Sequence, residues 1–394
     1  MPNETFEFPK GFLWGAATSA HQVEGNNKND WTEWESSPQR VADLVGRNLN
    51  PGDYISGEAC DHYRRFRSDF DIAKSLGHNA HRFSIEWSRI EPEEGKFNEH
   101  EIEHYREVVK ALRERGIEPF VTLWHWTLPL WVRDRGGWES PDIAARFALY
   151  CKRVAEEFRQ DIKFWAVLNE PQYWLWRAYF QGDFPPHKRN FFAAARVHQH
   201  LVQAHKAAYR ALKAVNQDFS VGVVESTGWF EPHVARFFLQ GIRNFLFPSR
   251  VRGNFDFFGL NYYRRETLFG KHGAGSISDI GWDIYPDGFY AIAKECYRRF
   301  KKPIIVTENG IADANDTKRA AYIRDHILAM RKAMQEGVDV RGYLHWSLLD
   351  NFEWDSGFGP RFGLVEVDYK TQERKIRASA LEYKKIIETN SATM

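Results

Sequence analysis

Read for hydrophobic and polar positions, the chain alternates between two textures. Short runs dense in β-branched or aromatic residues fall at 12–18, 79–85, 118–123, 163–168, 220–225, 255–261, 303–307 and 341–346, each the length of a buried strand. Between them run longer stretches with a helical period. Ile143, Phe147, Cys151, Val154 and Phe158 make one apolar stripe; Ile102, Tyr105, Val109 and Leu112 make a second before Gly116; Ile323, Ile327, Met330 and Met334 make a third before Gly337. Such stripes bury one helix face, and the glycines that follow are natural stops. These stripes are packing surfaces, and Met330 and Met334 read as core filler rather than ligands. Eight strand–helix units in succession predict a single-domain α/β chain, a (β/α)8 TIM barrel spanning 1–394.

Composition narrows the picture. The 394 residues carry 54 Lys plus Arg against 53 Asp plus Glu, a formal charge of +1, which gives no electrostatic reason to expect nucleic acid or an anionic membrane as partner. No apolar run reaches membrane-spanning length, and the first ten residues lack a basic-then-apolar leader pattern. Cys60, Cys151 and Cys296 are odd in number and widely spaced, so a disulfide framework or a cysteine metal site is not expected and a cytoplasmic location fits best. The 15 Trp, 16 Tyr and 30 Phe furnish a heavily aromatic core, and also the flat rings that stack on the C–H faces of sugars.

In a barrel of this kind the polar residues just past the strand ends face the reaction site. That rule selects Arg82 after the second strand, His125 after the third, Asn169-Glu170-Pro171 after the fourth, Asn261 and Tyr263 at the sixth, Glu308-Asn309-Gly310 at the seventh and Trp346 at the eighth. Two carboxylates, Glu170 and Glu308, thus share one rim, the minimum equipment for cleaving a glycosidic bond. One must be protonated to donate to the leaving oxygen; the other must be ionised, as a neighbouring Arg82 would keep it. On strand periodicity alone each acid has an ordinary reading too: Glu170 as a helix cap before Pro171, Glu308 as a loop acid. Competing chemistries lack their motifs: there is no phosphate-cradling glycine loop, no H-E-x-x-H and no G-x-S-x-G. His198, His200 and His205 cluster loosely on a predicted helix and read as a solvated face rather than a metal site. Neither a cofactor nor a metal is expected.

The segments Phe12-Leu-Trp-Gly-Ala-Ala-Thr-Ser19, Gln22-Val-Glu-Gly25, Asn169-Glu170-Pro171, Thr307-Glu308-Asn309-Gly310 and Trp346-Ser-Leu-Leu-Asp-Asn-Phe-Glu-Trp354, in this order, resemble glycoside hydrolase family 1, the β-glucosidase family, and the likeness runs to Arg361-Phe-Gly-Leu-Val-Glu-Val-Asp368. The resemblance implies a retaining β-glycosidase that works by double displacement through a covalent glycosyl-enzyme, on small β-glucosides or β-linked oligosaccharides. It makes Glu170 the general acid/base and Glu308 the nucleophile, with Arg82 and Tyr263 in contact with the nucleophile and Asn169 on the sugar 2-hydroxyl. Gln22, His125, Trp346, Glu353 and Trp354 match the ring that reads the hydroxyls of the non-reducing sugar. The carboxyls of Glu170 and Glu308 are then expected about 5–5.5 Å apart.

Two positions depart from the family pattern: Thr127 stands where Asp is common, and His21 where Tyr is. Neither carries an implied role. Glu353 argues against the 6-phosphoglycosidase branch and Glu170 against the thioglucosidase branch. β-Galactosidase or β-fucosidase activity, and a catalytically silent sugar-binding barrel, are the alternatives; the oligomeric state stays open, a monomer included. The chain is also shorter than most members it resembles. The brief stretches at 311–316 and 263–282, the latter with Gly270, Gly273, Gly275 and Gly281, predict a wide, shallow aglycone side with Trp174 and Trp126 as its platforms. The alternative is that residues 26–57 fold over and restore the wall.

Overall fold

All eight apolar runs become strands of one closed parallel barrel in the computed structural model, which describes residues 6–232, 236–267 and 276–392. The strands are β1 (Leu13–Ala17), β2 (Ala80–Ser84), β3 (Glu118–Trp124), β4 (Phe164–Asn169), β5 (Ser220–Glu231), β6 (Phe257–Thr267), β7 (Ile304–Asn309) and β8 (Val340–Trp346). Each pairs with its sequence neighbour, and β8 closes on β1 with Gly15 opposite Leu344. Helices cover the outside, giving a single-domain (β/α)8 barrel. β5 and β6 run beyond their predicted ends, to Glu231 and Thr267, and pair along that extension.

The period of two in each strand builds the interior in layers. Ala80, Phe120, Ala166, Val224, Phe257, Ile305 and Leu344, one from each of β2 to β8, form a buried apolar floor. Two residues further along the same inward face come Arg82, Thr122, Ser226, Thr307 and Trp346, so the interior turns polar in a single step. Register shifts interrupt the ladder at Ala166/Asn169, Leu260/Asn261 and Val306/Asn309. Irregularities of this kind re-aim side chains, and they fall beside Asn169, Asn261 and Glu308. Gly310 is fixed by space: a Cβ there would sit 1.8 Å from the Trp346 carbonyl oxygen.

The predicted helical stripes are the packed faces. In the helix Glu99–Glu114, Asn98 caps the start by accepting from the His100 and Glu101 amides, and Ile102, Tyr105, Val109 and Leu112 are buried. The helices Ile143–Glu157 and Arg319–Gln335 bury their stripes likewise, with Met334 at the edge half-buried. One expectation is corrected. His198, His200 and His205 lie on the helix Phe191–Val215 but do not form a solvated face: His205 is fully buried, bonded through Nε2 to the Asn254 carbonyl, and His198 and His205 both pack edge-on against Phe247. His205 falls in line with Leu201, Ala208 and Leu212, so the helical period carries it into the core. The three cysteines are buried and free. Among the described residues no helix is long and apolar enough to cross a membrane. Gly270, Gly273 and Gly275 of the predicted lean loop lie outside the described residues.

Candidate active site

At the C-terminal ends of the strands the barrel opens into a pocket of about 870 Å³, its mouth included. Of the residues singled out in the sequence, Gln22, His125, Trp126, Asn169, Glu170, Tyr263, Glu308, Trp346, Glu353 and Trp354 line it. Arg82 lies directly beneath, fully buried. Trp174 does not reach it.

Arg82 organises the base of the pocket. Its Nη1 donates to Glu308 Oε1 at 2.5 Å, its Nη2 to Asn169 Oδ1 at 2.6 Å and its Nε to Thr122 Oγ1 at 3.0 Å. Tyr263 donates its hydroxyl to the other Glu308 oxygen at 2.6 Å. Both oxygens of Glu308 are therefore occupied, one by a guanidinium and the other by a phenol. Burial and the charge of Glu308 push the Tyr263 phenol well above its ordinary range, so it remains a donor.

Glu170 has a different setting. Burial, and then the negative charge of Glu308, raise its carboxyl to about 8, against the opposing effects of Asn261, Arg82 and Ser226. Asn261 Nδ2 donates to Glu170 Oε1 at 2.7 Å and also approaches Asn169 Oδ1 at 3.3 Å, while its own oxygen accepts from Thr307. Asn261 stood at a strand end in the sequence without an assigned role; here it ties the two neighbours Asn169 and Glu170 together. The signal was available in its inward position on β6. Glu170 is also at the cap position of the helix Pro171–Trp176, with φ 47°, but its side chain makes no capping bond. The backbone caps while the carboxyl faces the pocket.

Asn169 is oriented by its network. Its oxygen accepts from Arg82 and Asn261, so its amide nitrogen faces His125 Nε2 at 3.1 Å. Burial and Arg82 hold the imidazole well below its usual range, hence neutral. A ring that accepts at Nε2 carries its proton on Nδ1, and among the described residues that nitrogen has no partner.

The rest of the inner wall combines polar and aromatic side chains. Gln22 Nε2 lies 3.4 Å from Glu353 Oε2 and the Trp346 indole also bonds Glu353. Burial, Glu308 and Asp355 raise the Glu353 carboxyl to about 8. Trp126 donates its indole N–H to the Asn169 carbonyl at 2.9 Å and packs on Trp354. The two departures from the family pattern are supports. His21 stacks on Trp354 and bonds Glu35, and Thr127 donates to the buried Glu86.

The outer wall corrects one expectation. Trp174 is buried against Trp124 and Tyr179, so it belongs to the core; Tyr173, one step around the same helix, faces the pocket instead. With it stand Arg177, Phe184, Phe230, Arg243, Arg264, Glu266, Ile280 and Trp282. None of these was singled out in the sequence, because they come from loops, strand extensions and short helical segments without a readable apolar stripe. Among the described residues, none of 26–57 lines the pocket; Trp31 packs behind Trp354 and Phe184, and Arg40 bonds the Asp355 carbonyl.

A closed barrel whose rim holds an ion-paired carboxylate beside a raised one, above a ring of hydroxyl-binding groups, defines the two-carboxylate class of glycoside-cleaving enzymes. The comparisons agree. The sequence model of glycosyl hydrolase family 1 matches residues 4–237 and 248–392. The chain is 34% identical to β-glucosidase A of Thermotoga maritima, over 98% of each chain, and 30% identical to a β-galactosidase of Pyrococcus woesei, again over 98% of each. The solved β-glycosidase from Pyrococcus horikoshii is 37% identical and superposes with a TM-score of 0.89 over 99% of this chain and 96% of that one. The chain belongs to glycosyl hydrolase family 1.

Proposed function

We propose that this chain is a retaining β-glycosidase that hydrolyses terminal non-reducing β-D-glucosyl residues. The observation that carries the reading is the asymmetry of the two carboxyls: Glu308 is held by Arg82 and Tyr263, while Glu170 is raised to about 8. An ionised Glu308 attacks the anomeric carbon. Glu170 gives its proton to the glycosidic oxygen, and the aglycone leaves as an alcohol. The bond so formed consumes the Glu308 charge that helped to raise Glu170, which lowers the proton affinity of Glu170 for the second half-reaction. Glu170 then takes a proton from water, the water oxygen attacks the same carbon, and Glu308 leaves as a carboxylate. Asn169 is positioned for the sugar 2-hydroxyl, and Gln22, His125, Trp346, Glu353 and Trp354 for the remaining ones.

Glucose preference rests on the sugar-reading ring and on the T. maritima relative. Galactose is the second reading, supported by the P. woesei relative and by the Gln22/Glu353 pair, which can meet either orientation of the C4 hydroxyl. A panel of aryl β-glucosides, β-galactosides and β-fucosides compared by kcat/KM decides. The glucoside is expected to rank first. A galactoside or fucoside in first place contradicts the preference, and hydrolysis of none of them would make the chain a silent sugar-binding barrel.

A further inference from the structure

A third carboxyl stands behind the general acid. Glu225 is on β5, next to the end of β4: Asn169 pairs with Val224, and the Glu170 amide donates to the Val224 carbonyl at 3.0 Å. Ser226, the next residue, turns into the pocket and bonds Glu170. Strand alternation sends Glu225 the other way, under the helix Pro171–Trp176, where it is fully buried and outside the pocket lining. There Glu225 Oε1 accepts the backbone N–H of Gln172 at 3.2 Å.

That bond is the one a helix cap normally makes. The side chain of the residue before a helix usually accepts from the amide of its second or third residue. Here that residue is Glu170, in the left-handed region and followed by Pro171, which has no N–H to offer. A carboxyl turned back on the Gln172 amide could not reach a glycosidic oxygen. Glu170 makes no capping bond, and Glu225 supplies the missing acceptor from the neighbouring strand.

We propose that Glu225 is the positioning residue of the general acid, capping the helix that follows Glu170 so that the Glu170 carboxyl is free to face the substrate. This rests on the reading of Glu170 as acid/base. The oxygen, not a charge, does the capping. Burial and the nearby Glu170 push the Glu225 carboxyl well above the usual range, against the Gln172 amide and Arg243. Arg243 faces it from the helix Arg236–Phe245, and Glu266, which also acts on Arg243, is bonded by Arg264. Glutamine, neutral and of the same shape, should therefore replace it, whereas alanine should not.

The test compares the wild type with Glu225→Gln, Glu225→Ala and Glu170→Ala by kcat/KM for aryl and alkyl β-glucosides of graded leaving-group ability. Within one preparation the ratio between good and poor leaving groups is independent of how much protein is folded. Glu225→Ala is expected to lose roughly tenfold to a hundredfold on alkyl glucosides but only about twofold on the dinitrophenyl glucoside. Its alkaline pH limb should move, and Glu225→Gln should restore both the leaving-group pattern and the limb. An equal loss across all leaving groups in Glu225→Ala, or a Glu225→Gln variant as impaired as the alanine one, overturns the proposal. Glu170→Ala separates the two claims. If it shows no leaving-group dependence, the acid/base reading itself fails; if it does and Glu225→Ala does not, only the capping role fails.

Discussion

At the scale of single residues, the site works by giving two identical side chains opposite surroundings. Glu308 receives a guanidinium and a phenol; Glu170 receives burial, an amide and the charge of its partner. The two should fail differently. On the proposed reading Glu308→Ala removes the nucleophile and is expected to abolish turnover with every leaving group. Glu170→Ala should lose roughly a hundredfold or more in kcat/KM on alkyl glucosides and far less on the dinitrophenyl glucoside, which needs no proton; equal losses would contradict the role. The pH dependence has a definite sign. As the proposed acid, Glu170 acts in its protonated form, and its carboxyl is raised to about 8, so kcat/KM should hold through neutral pH and fall about tenfold per unit well above 8. A profile already falling at pH 6 on its alkaline side would show that another group donates the proton.

At the scale of elements, the account turns on what periodicity shows and what it hides. All eight strands were legible because buried parallel strands are dense in apolar residues, and so were the helical stripes. The register shifts that aim Asn169, Asn261 and Glu308 left no trace in a pattern of apolar and polar positions. The two misplaced features have one cause. Whether His205 or Trp174 faces core or opening depends on rotation about a helix axis, and a single residue changes that by more than a quarter turn. Trp174→Ala is therefore expected to destabilise the fold by about 3–5 kcal/mol, seen as a lower Tm, with little effect on aglycone preference. Tyr173→Ala should do the reverse, raising KM for aryl glucosides while Tm stays near the wild-type value. The expected openness of the aglycone side also belongs here. Residues 26–57 brace Trp354 from behind rather than roofing the pocket, and Arg177, Arg243, Arg264 and Trp282 stand on the outer wall. An open entrance predicts kcat/KM nearly indifferent to aglycone size at matched leaving-group ability. A loss of roughly a hundredfold for bulky aglycones would show a closed wall.

At the scale of the whole molecule, the barrel brings together residues far apart in sequence. Arg82, Asn169, Tyr263 and Glu308 come from β2, β4, β6 and β7, yet they form one hydrogen-bonded cluster above an apolar floor. The motifs marked nearly all of the inner ring because its members are short runs at strand ends. The outer wall stayed unread because loops, strand extensions and short helical segments carry no clear period, and Glu225 because a lone acid in an apolar strand has no motif. The arrangement makes one claim above the rest, that Glu308 attacks carbon directly rather than activating a water. Proton NMR of the sugar first released from an aryl β-glucoside tests it most directly. The account predicts that the β-anomer forms first and the α-anomer appears only by mutarotation; an α-anomer formed first would mean a single inversion and would contradict it.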